Sequence, residues 1–85
     1  MTTNATIKLY ASLGDYLPSG AVQNAIRLAL PGDATIGSAL DSLNVPREHC
    51  HLVLLNGAFV PPGAREAQAV RDGDTIAVWP PVAGG

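Results

Sequence analysis

The chain has 85 residues, of which 47% are hydrophobic and 14% charged, and its net charge at neutral pH is −2. This size predicts one domain with a modest core, and the composition is typical of a folded chain rather than a disordered one. The acidic balance and the scattered basic residues argue against a nucleic-acid partner, and no apolar stretch approaches the roughly 20 residues that cross a membrane.

The N-terminal third predicts two strands separated by a loop. Residues 6–11 alternate with period two, which predicts a half-buried strand with Ala11 facing inward and Tyr10 facing outward. Residues 14–20 contain Gly, Pro and Ser and therefore predict a loop. Residues 24–30 alternate again, and the Pro-Gly-Asp sequence of residues 31–33 predicts the end of this second strand.

A change of period then predicts a helix. Four apolar residues spaced i, i+3, i+4 and i+7 form one helical stripe: Ile36, Ala39, Leu40 and Leu43. Thr35 is the expected N-cap, with Asp33 as the alternative, and Pro46 predicts the end of the helix. Because Gly37 and Ser38 are poor helix formers, we expect a short helix that packing rather than propensity stabilises.

The next segment predicts a β-hairpin. Residues 52–55 are an unbroken apolar run, which predicts a strand covered on both faces or near the sheet centre. Asn56-Gly57 favours a type I′ turn, because both turn positions need positive φ. Residues 58–60 then predict a short return strand that the following prolines terminate.

The remaining sequence predicts a connector, a turn and a last strand. Residues 65–70 are too short for a good second helix, residues 71–74 favour a turn, and residues 75–79 alternate with Trp79 facing outward. This order predicts an α+β fold of the ubiquitin-like β-grasp type, with a mixed sheet of four to five strands and one main helix across one face. An α/β-plait is the competing fold. The expected core consists of Ile7, Leu9, Ile26, Leu28, Leu30, Ile36, Leu40, Leu43, Leu54, Ile76 and Val78.

The C-terminal segment has unusual chemistry. Pro80 and Pro81 end backbone pairing after the last strand, since proline donates no N–H. Four small or apolar residues follow, and they would span about 13 Å if extended: Val82, Ala83, Gly84 and Gly85. A double glycine without Cβ atoms fits a narrow channel, although a merely frayed end is the alternative. We predict a β-grasp domain over residues 1–81 and a flexible tail over residues 82–85.

These features together resemble the small sulfur carriers of ubiquitin-like fold. The chain is most similar to the small subunit of molybdopterin synthase, with the thiamine-pathway sulfur carrier as a relative. The resemblance covers nearly the whole chain and rests on residues 7–11, the helix after Asp33-Ala34-Thr35, Asn56-Gly57, Asp72-Gly73-Asp74 and Pro80-Pro81-Val82-Ala83-Gly84-Gly85. An aromatic-Pro-Pro-x-x-Gly-Gly ending behind a β-grasp pattern is more specific than a Gly-Gly pair alone.

The resemblance implies a chemical role for the tail. In this family a ubiquitin-activating-type adenylyltransferase uses ATP and magnesium to join AMP to the terminal carboxylate, and sulfur then replaces AMP to give a thiocarboxylate. On this reading Gly85 carries the reacting group and Gly84 keeps the approach slim. The thiocarboxylate passes sulfur to a larger synthase subunit or another acceptor enzyme. The chain is therefore expected to be non-catalytic alone and to bind no cofactor itself.

A docking face is also expected. The resemblance places partner-binding residues at Tyr10, Phe59 and Trp79. The set is completed by Pro80, Pro81, Val82 and Ala83. Exposed apolar patches mark interaction sites, and aromatic residues are favoured anchors within them. The alternative is that Tyr10 and Trp79 only pair across neighbouring strands. Val53, Leu55 and Ala77 are further candidates for the patch.

Other reactive residue types favour structural roles. His49, Cys50 and His51 are adjacent, so an extended chain points them to alternate sides, and no other Cys or His completes a tetrahedral metal site. We therefore predict no bound metal. Asp72 and Asp74 are expected to form a turn. A single cysteine and the lack of a signal-peptide pattern favour a cytoplasmic location.

Four functions remain open at this point. The first is a sulfur carrier for molybdopterin, including the related tungsten cofactor, and the second is a carrier for thiamine, cysteine or another sulfur pathway. The third is a ubiquitin-like protein modifier, for which Lys8 is the sole internal lysine. The fourth is a β-grasp interaction module with an inert tail.

Overall fold

The structure is a computed structural model that describes residues 1–81, so the predicted tail, residues 82–85, lies outside the described residues. Its strands are β1 (Thr2–Leu9), β2 (Ala25–Pro31), β3 (Leu52–Leu55), β4 (Ala58–Phe59) and β5 (Thr75–Trp79). The α-helix within this range is α1 (Ile36–Ser42), and short 3₁₀-helices cover Ala11–Tyr16, Arg47–His49 and Pro62–Ala64. Among residues 1–81, every helix falls short of the length and hydropathy that a membrane-spanning helix needs.

The strands of the described range form one mixed sheet in the order β2-β1-β5-β3-β4. β1 pairs antiparallel with β2 and parallel with β5, and β3 pairs antiparallel with both β5 and β4. The last strand of the sequence is therefore the central strand of the sheet. This topology with one main helix confirms the β-grasp prediction.

The inner face of the sheet packs against α1. Ile7, Val53 and Ile76 are fully buried, and they belong to the same core cluster as the helix residues Ile36 and Leu40. The helical stripe predicted from the sequence is thus the surface that covers the sheet. Removing this much apolar surface from water is the main favourable contribution to folding.

One strand faces the opposite way from the prediction. The register pairs Val53 with Val78 and Leu55 with Ile76, so Val53 and Leu55 lie on the inner face. Leu54, which the sequence placed in the core, lies on the outer face and is half-buried. Four consecutive apolar residues carry no alternation, and only the pairing with β5 decides which face each residue takes.

The first strand also departs from the prediction at both ends. It begins at Thr2, because pairing with β2 continues to Pro31. It ends at Leu9, and Ala11 is exposed with φ of 52° at the start of the 3₁₀-helix, so the prediction of an inward-facing Ala11 was wrong. The segment read as a loop from residue 14 therefore includes part of this 3₁₀-helix, whose Leu13 is buried in the core.

The helix is short, as predicted, and its first turn shows why Gly37 and Ser38 are there. Thr35 is the N-cap: its side-chain oxygen accepts from Ser38 N at 3.1 Å, and Ser38 Oγ accepts from Thr35 N at 2.9 Å. This reciprocal pair satisfies two backbone donors. A Cβ on Gly37 would lie 2.7 Å from the Glu66 carboxylate, so glycine makes room for that side chain.

Both predicted turns are confirmed at the end of the sheet where β5 begins. Asn56 and Gly57 have φ of 52° and 86°, as a type I′ hairpin requires. Asp74 accepts from Asn56 Nδ2 at 2.8 Å and from Arg71 N at 2.8 Å. Asp72 accepts from Asn4 N at 2.7 Å, so these carboxylates join the turn to neighbouring strands.

Candidate functional site

The outer face of the sheet carries a continuous apolar surface, which we call the outer patch. The register places Leu52 beside Trp79, and it places Leu54 between Ala77 and Phe59. The outer patch consists of Tyr10, Leu52, Leu54, Phe59, Ala77 and Trp79. Its members are half-buried except Phe59, which is 57% exposed on the edge strand β4.

Tyr10 and Trp79 form the most ordered part of the outer patch. Their rings stack with centroids 4.5 Å apart and planes inclined by 8°. Tyr10 N donates to Val78 O at 3.1 Å, and Trp79 O accepts from His51 N at 2.9 Å. These bonds fix the backbone on both sides of Trp79, immediately before the prolines. Stacking of this kind adds about 0.5–1.5 kcal/mol beyond area burial.

The predicted site residues are thus described in part. Tyr10, Phe59 and Trp79 share one face, while Pro80 is half-buried and Pro81 exposed where β5 ends. Val82, Ala83, Gly84 and Gly85 lie outside the described residues. Of the further candidates for the patch, Ala77 lies on this face, whereas Val53 and Leu55 lie on the inner face. Leu52 and Leu54 occupy the outer face of β3 in place of Val53 and Leu55. Because residues 52–55 are all apolar, no alternation in the sequence indicated which of them face outward.

An ion-pair cluster lies apart from the sheet's outer face. Arg47 donates from Nε to Glu66 Oε2 at 2.6 Å, from Nη1 to Asp41 Oδ1 at 2.8 Å and from Nη2 to Gly37 O at 2.9 Å. The hydrogen bond from Arg47 holds the pKa of Glu66 below its usual range, and the hydrogen bonds that Arg47 donates to the carboxylates of Glu66 and Asp41 raise the pKa of Arg47. The cluster connects the helix to the connector around Glu66, so its geometry fits a structural role.

Arg65 is a residue whose role the sequence did not predict. Its side chain is buried, with 5% exposure, although it lies in a segment read as a plain connector. It donates to Val60 O at 3.0 Å, Cys50 O at 2.8 Å and His51 O at 3.1 Å. One guanidinium therefore satisfies three backbone carbonyls beside β3 and β4, which orders the segments that carry the outer patch.

The residues around Cys50 show the structural character that the sequence favoured. The Cys50 thiol is buried and donates to Pro46 O at 3.5 Å, and burial raises its pKa. A raised pKa keeps this thiol protonated at neutral pH, which disfavours a nucleophilic role. His49 and His51 are exposed, and nowhere within residues 1–81 do three or more His, Cys, Asp or Glu side chains converge as a metal site would require.

Comparison with known proteins gives the same fold across nearly the whole chain. A family model described as Mut7-C ubiquitin matches residues 2–84. None of the curated proteins matches the chain by sequence. The family match agrees with the resemblance to ubiquitin-like carriers drawn from the sequence.

Solved structures extend this comparison. The HVO 2177 protein of Haloferax volcanii is 30% identical, with a TM-score of 0.76, and the match covers 99% of this chain and 88% of that chain. SAMP1 of the same organism, a small archaeal modifier protein, is 30% identical with a TM-score of 0.69 over 96% of this chain and 99% of that chain. A candidate molybdopterin converting factor subunit 1 from Pyrococcus furiosus is 17% identical, with a TM-score of 0.69 over 94% and 99%, and shares the fold.

Proposed function

The chain belongs to the Mut7-C ubiquitin family, and from this premise we propose that it is a ubiquitin-like sulfur carrier. Its reacting group is the α-carboxylate of Gly85, which a partner enzyme converts into a thiocarboxylate. The observation that carries the proposal is the continuity of the outer patch with the root of the tail. The same strand, β5, contributes Ala77 and Trp79 to the patch and leads into Pro80 and Pro81.

The proposed chemistry follows from the low reactivity of a carboxylate. The ubiquitin-activating-type adenylyltransferase joins the carboxylate to AMP and releases pyrophosphate, using ATP and magnesium that it binds itself. The terminal sulfur of a persulfide attacks the acyl carbon, and AMP leaves. A thiol then splits the resulting acyl disulfide, which leaves the thiocarboxylate on the carrier and a disulfide on the donor.

The carrier's own residues supply position rather than catalysis. Stacking on Tyr10 holds Trp79, and the restricted φ of Pro80 and Pro81 limits the directions in which the tail leaves the sheet. Val82 and Ala83 add length, and Gly84 with Gly85 gives the slim end that a narrow active site admits. The proposal requires Gly85 to carry a free α-carboxylate.

For the sulfur acceptor we propose the larger subunit of molybdopterin synthase, which acts on a pterin precursor of the molybdenum or tungsten cofactor. The Pro-Pro-Val-Ala-Gly-Gly ending supports this branch. Incubation of the thiocarboxylated chain with that subunit and the pterin precursor tests it. Formation of the dithiolene product supports the molybdopterin branch. Failure with this acceptor, combined with transfer to a thiamine- or cysteine-forming acceptor, would redirect the proposal to that pathway.

Intact mass spectrometry tests the carrier function itself. The purified chain is incubated with the adenylyltransferase of its own organism, ATP, magnesium and a persulfide donor. We expect the mass to rise by the exchange of one oxygen for one sulfur, located to Gly85 by fragmentation. A variant lacking Gly85 should not change in mass. Absence of exchange in the wild-type chain under conditions where the enzyme consumes ATP would contradict the proposal.

A second function, protein modification, is favoured by the 30% identity to the small archaeal modifier SAMP1 over 96% of this chain. In that case the activated carboxyl of Gly85 acylates lysine side chains of other proteins. Chains of the modifier through an internal lysine would all pass through Lys8. Isopeptide-linked adducts in cell lysate that vanish when Gly85 is deleted would support this function. Their absence, together with thiocarboxylate formation, would leave the carrier function alone.

A further inference from the structure

The turn between β3 and β4 contains the one Asn-Gly pair of the sequence, Asn56-Gly57. Both residues are exposed, and a Cβ built on Gly57 would meet no atom within 4 Å, so the space around this glycine is open. Asparagine is a thermolabile residue, most of all before glycine, where no side chain shields the next backbone nitrogen. The other asparagines, Asn4, Asn24 and Asn44, precede Ala, Ala and Val.

The reaction open to an Asn-Gly pair is deamidation. The backbone nitrogen of Gly57 loses its proton to base and attacks Asn56 Cγ, and the bond from Cγ to Nδ2 breaks with release of ammonia. The product is a cyclic succinimide. Water then opens one of its two carbonyls, which leaves aspartate or isoaspartate at position 56. Closing the ring requires Asn56 Cγ to turn towards the nitrogen of Gly57.

In the folded chain the Asn56 amide is held against the start of β5 instead. Its Nδ2 donates to Asp74 Oδ1 at 2.8 Å, and its Oδ1 accepts from Thr75 N at 2.9 Å. Asp74 is itself held, because its Oδ2 accepts from Arg71 N at 2.8 Å. Turning Cγ towards Gly57 therefore breaks both side-chain hydrogen bonds of Asn56. The bond to Asp74 has a charged acceptor, which makes it stronger than a neutral pair.

We infer that Asn56 is the deamidation site of this chain and that Asp74 protects it in the folded state. Conversion is then coupled to local opening at this end of the sheet, since the reaction proceeds from molecules in which the bonds to Asp74 and Thr75 are broken. The inference is independent of the proposed function, because it involves no partner protein and no residue beyond 81.

The products of the reaction no longer fit the turn. Aspartate at position 56 would face the Asp74 carboxylate where a hydrogen bond of 2.8 Å now stands, and two carboxylates at that separation repel each other. Isoaspartate passes the backbone through its side chain and lengthens the turn, so β4, which has 2 residues, would lose its register with β3. Because Phe59 lies on β4, deamidation also displaces the most exposed member of the outer patch.

Deamidation kinetics test the protection by Asp74. The wild type, Asp74→Ala, Asp74→Asn and Asp72→Ala are incubated at mildly alkaline pH, and the mass gain of amide-to-acid conversion is located by peptide mapping. Asp72→Ala is the matched control, because Asp72 lies in the same turn but accepts from Asn4 N. Isomerisation at Asp72-Gly73 leaves the mass unchanged and is not counted. A thermal unfolding curve verifies that each variant is folded, and Asp74→Asn, which keeps an oxygen acceptor, keeps the test valid if Asp74→Ala unfolds.

We expect Asn56 to convert at least about tenfold more slowly in the folded wild type than in the chain unfolded by urea. Asp74→Ala should speed conversion in the folded chain about tenfold, Asp74→Asn less, and Asp72→Ala by less than about twofold. Equal rates in the folded and unfolded wild type, effects of the Asp74 variants no larger than that of Asp72→Ala, or faster conversion at another asparagine would each overturn the inference.

An exchange of the two side chains tests the consequence. Asn56→Asp reproduces the aspartate product, and we expect its melting temperature to fall by about 4–8 °C. The double variant Asn56→Asp, Asp74→Asn restores one donor facing one acceptor and keeps an oxygen for Arg71 N, so it should recover most of that loss. An unchanged melting temperature in Asn56→Asp, or a double variant no more stable than the single one, would contradict the predicted repulsion.

Discussion

On the inner face of the sheet, Ile76 and Val78 are fully buried, whereas on the outer face of the same strand Ala77 and Trp79 remain partly exposed. An antiparallel sheet with one solvated face usually carries polar residues there. Here β3 is apolar on both faces, and the outer face of β5 is apolar except at Thr75. The inner face therefore stabilises the fold, and the proposed function uses the outer face for recognition.

The largest expected effect is on the inner face. Ile76→Ala removes a fully buried side chain from the central strand and should lower the free energy of unfolding by about 2–5 kcal/mol. Leu54→Ala is the control on the outer face, and it should cost less than half as much because Leu54 is already half-exposed. Urea unfolding of both variants measures the contrast. Equal losses would mean that the two faces are not distinguished by burial.

The next effect concerns the buried charge at the margin of the core. Arg65→Leu leaves the carbonyls of Val60, Cys50 and His51 without their donor, and we expect a loss of about 2–4 kcal/mol in the free energy of unfolding. Arg71→Leu removes the same charge from an exposed site and should be nearly neutral. Chemical denaturation of the pair is the measurement, and similar stabilities for the two variants would contradict the role given to Arg65.

Substitutions in the outer patch should change partner affinity more than they change the stability of the fold. Phe59→Ala removes an exposed ring from the edge strand, so stability should change by less than about 1 kcal/mol, while affinity for the activating enzyme should fall about tenfold. Val22→Ala is the matched control, because Val22 is 69% exposed and lies outside the outer patch. Calorimetric titration of both variants with the enzyme measures the affinities. A loss of affinity in Val22→Ala as large as that in Phe59→Ala would contradict the role of the outer patch in binding the enzyme.

The smallest effect is expected from the Arg47 cluster, which belongs to neither sheet face. The pKa of the Glu66 carboxyl is lower in the folded chain than its ordinary 4.5, so the ion pair stabilises the fold above that pH. The contribution should disappear as the pH falls through the lowered pKa and Glu66 becomes protonated. Unfolding free energies of the wild type and Glu66→Gln should therefore differ at neutral pH and converge in acid. If the two unfolding free energies still differ in acid, the stabilisation comes from packing of the Glu66 side chain and not from its charge.

Patterns within a single segment were enough to predict much of the fold. Thr35 as N-cap, the Asn56-Gly57 turn and the alternation of β5 depend on residues close in sequence, and all three appear in the structure. The inner and outer residues of β3 were inverted, because Leu52–Leu55 is uniformly apolar and its orientation depends on pairing with a distant strand. Similarly, Arg65 reaches carbonyls that only the tertiary fold brings within range.

The candidate site was predicted to a smaller extent. The outward orientation of Tyr10 and Trp79 followed from strand alternation, and the structure adds their stacking and the neighbours Leu52 and Leu54. The position of Lys8 beside Ala77 was not predicted, because it depends on the parallel register between β1 and β5. Strand alternation gives the face of a residue, but it does not give the neighbours on adjacent strands.

The central position of β5 has a mechanical consequence. On the proposed function, a partner enzyme that draws the C-terminal segment into its active site would pull on Trp79 along the axis of β5. That strand is bonded to β1 on one side and to β3 on the other. Tension along the strand therefore loads two rows of hydrogen bonds in shear at once, instead of peeling one edge strand open bond by bond. On the proposed function, this pairing on both sides would keep the fold intact while the enzyme holds the C-terminal segment.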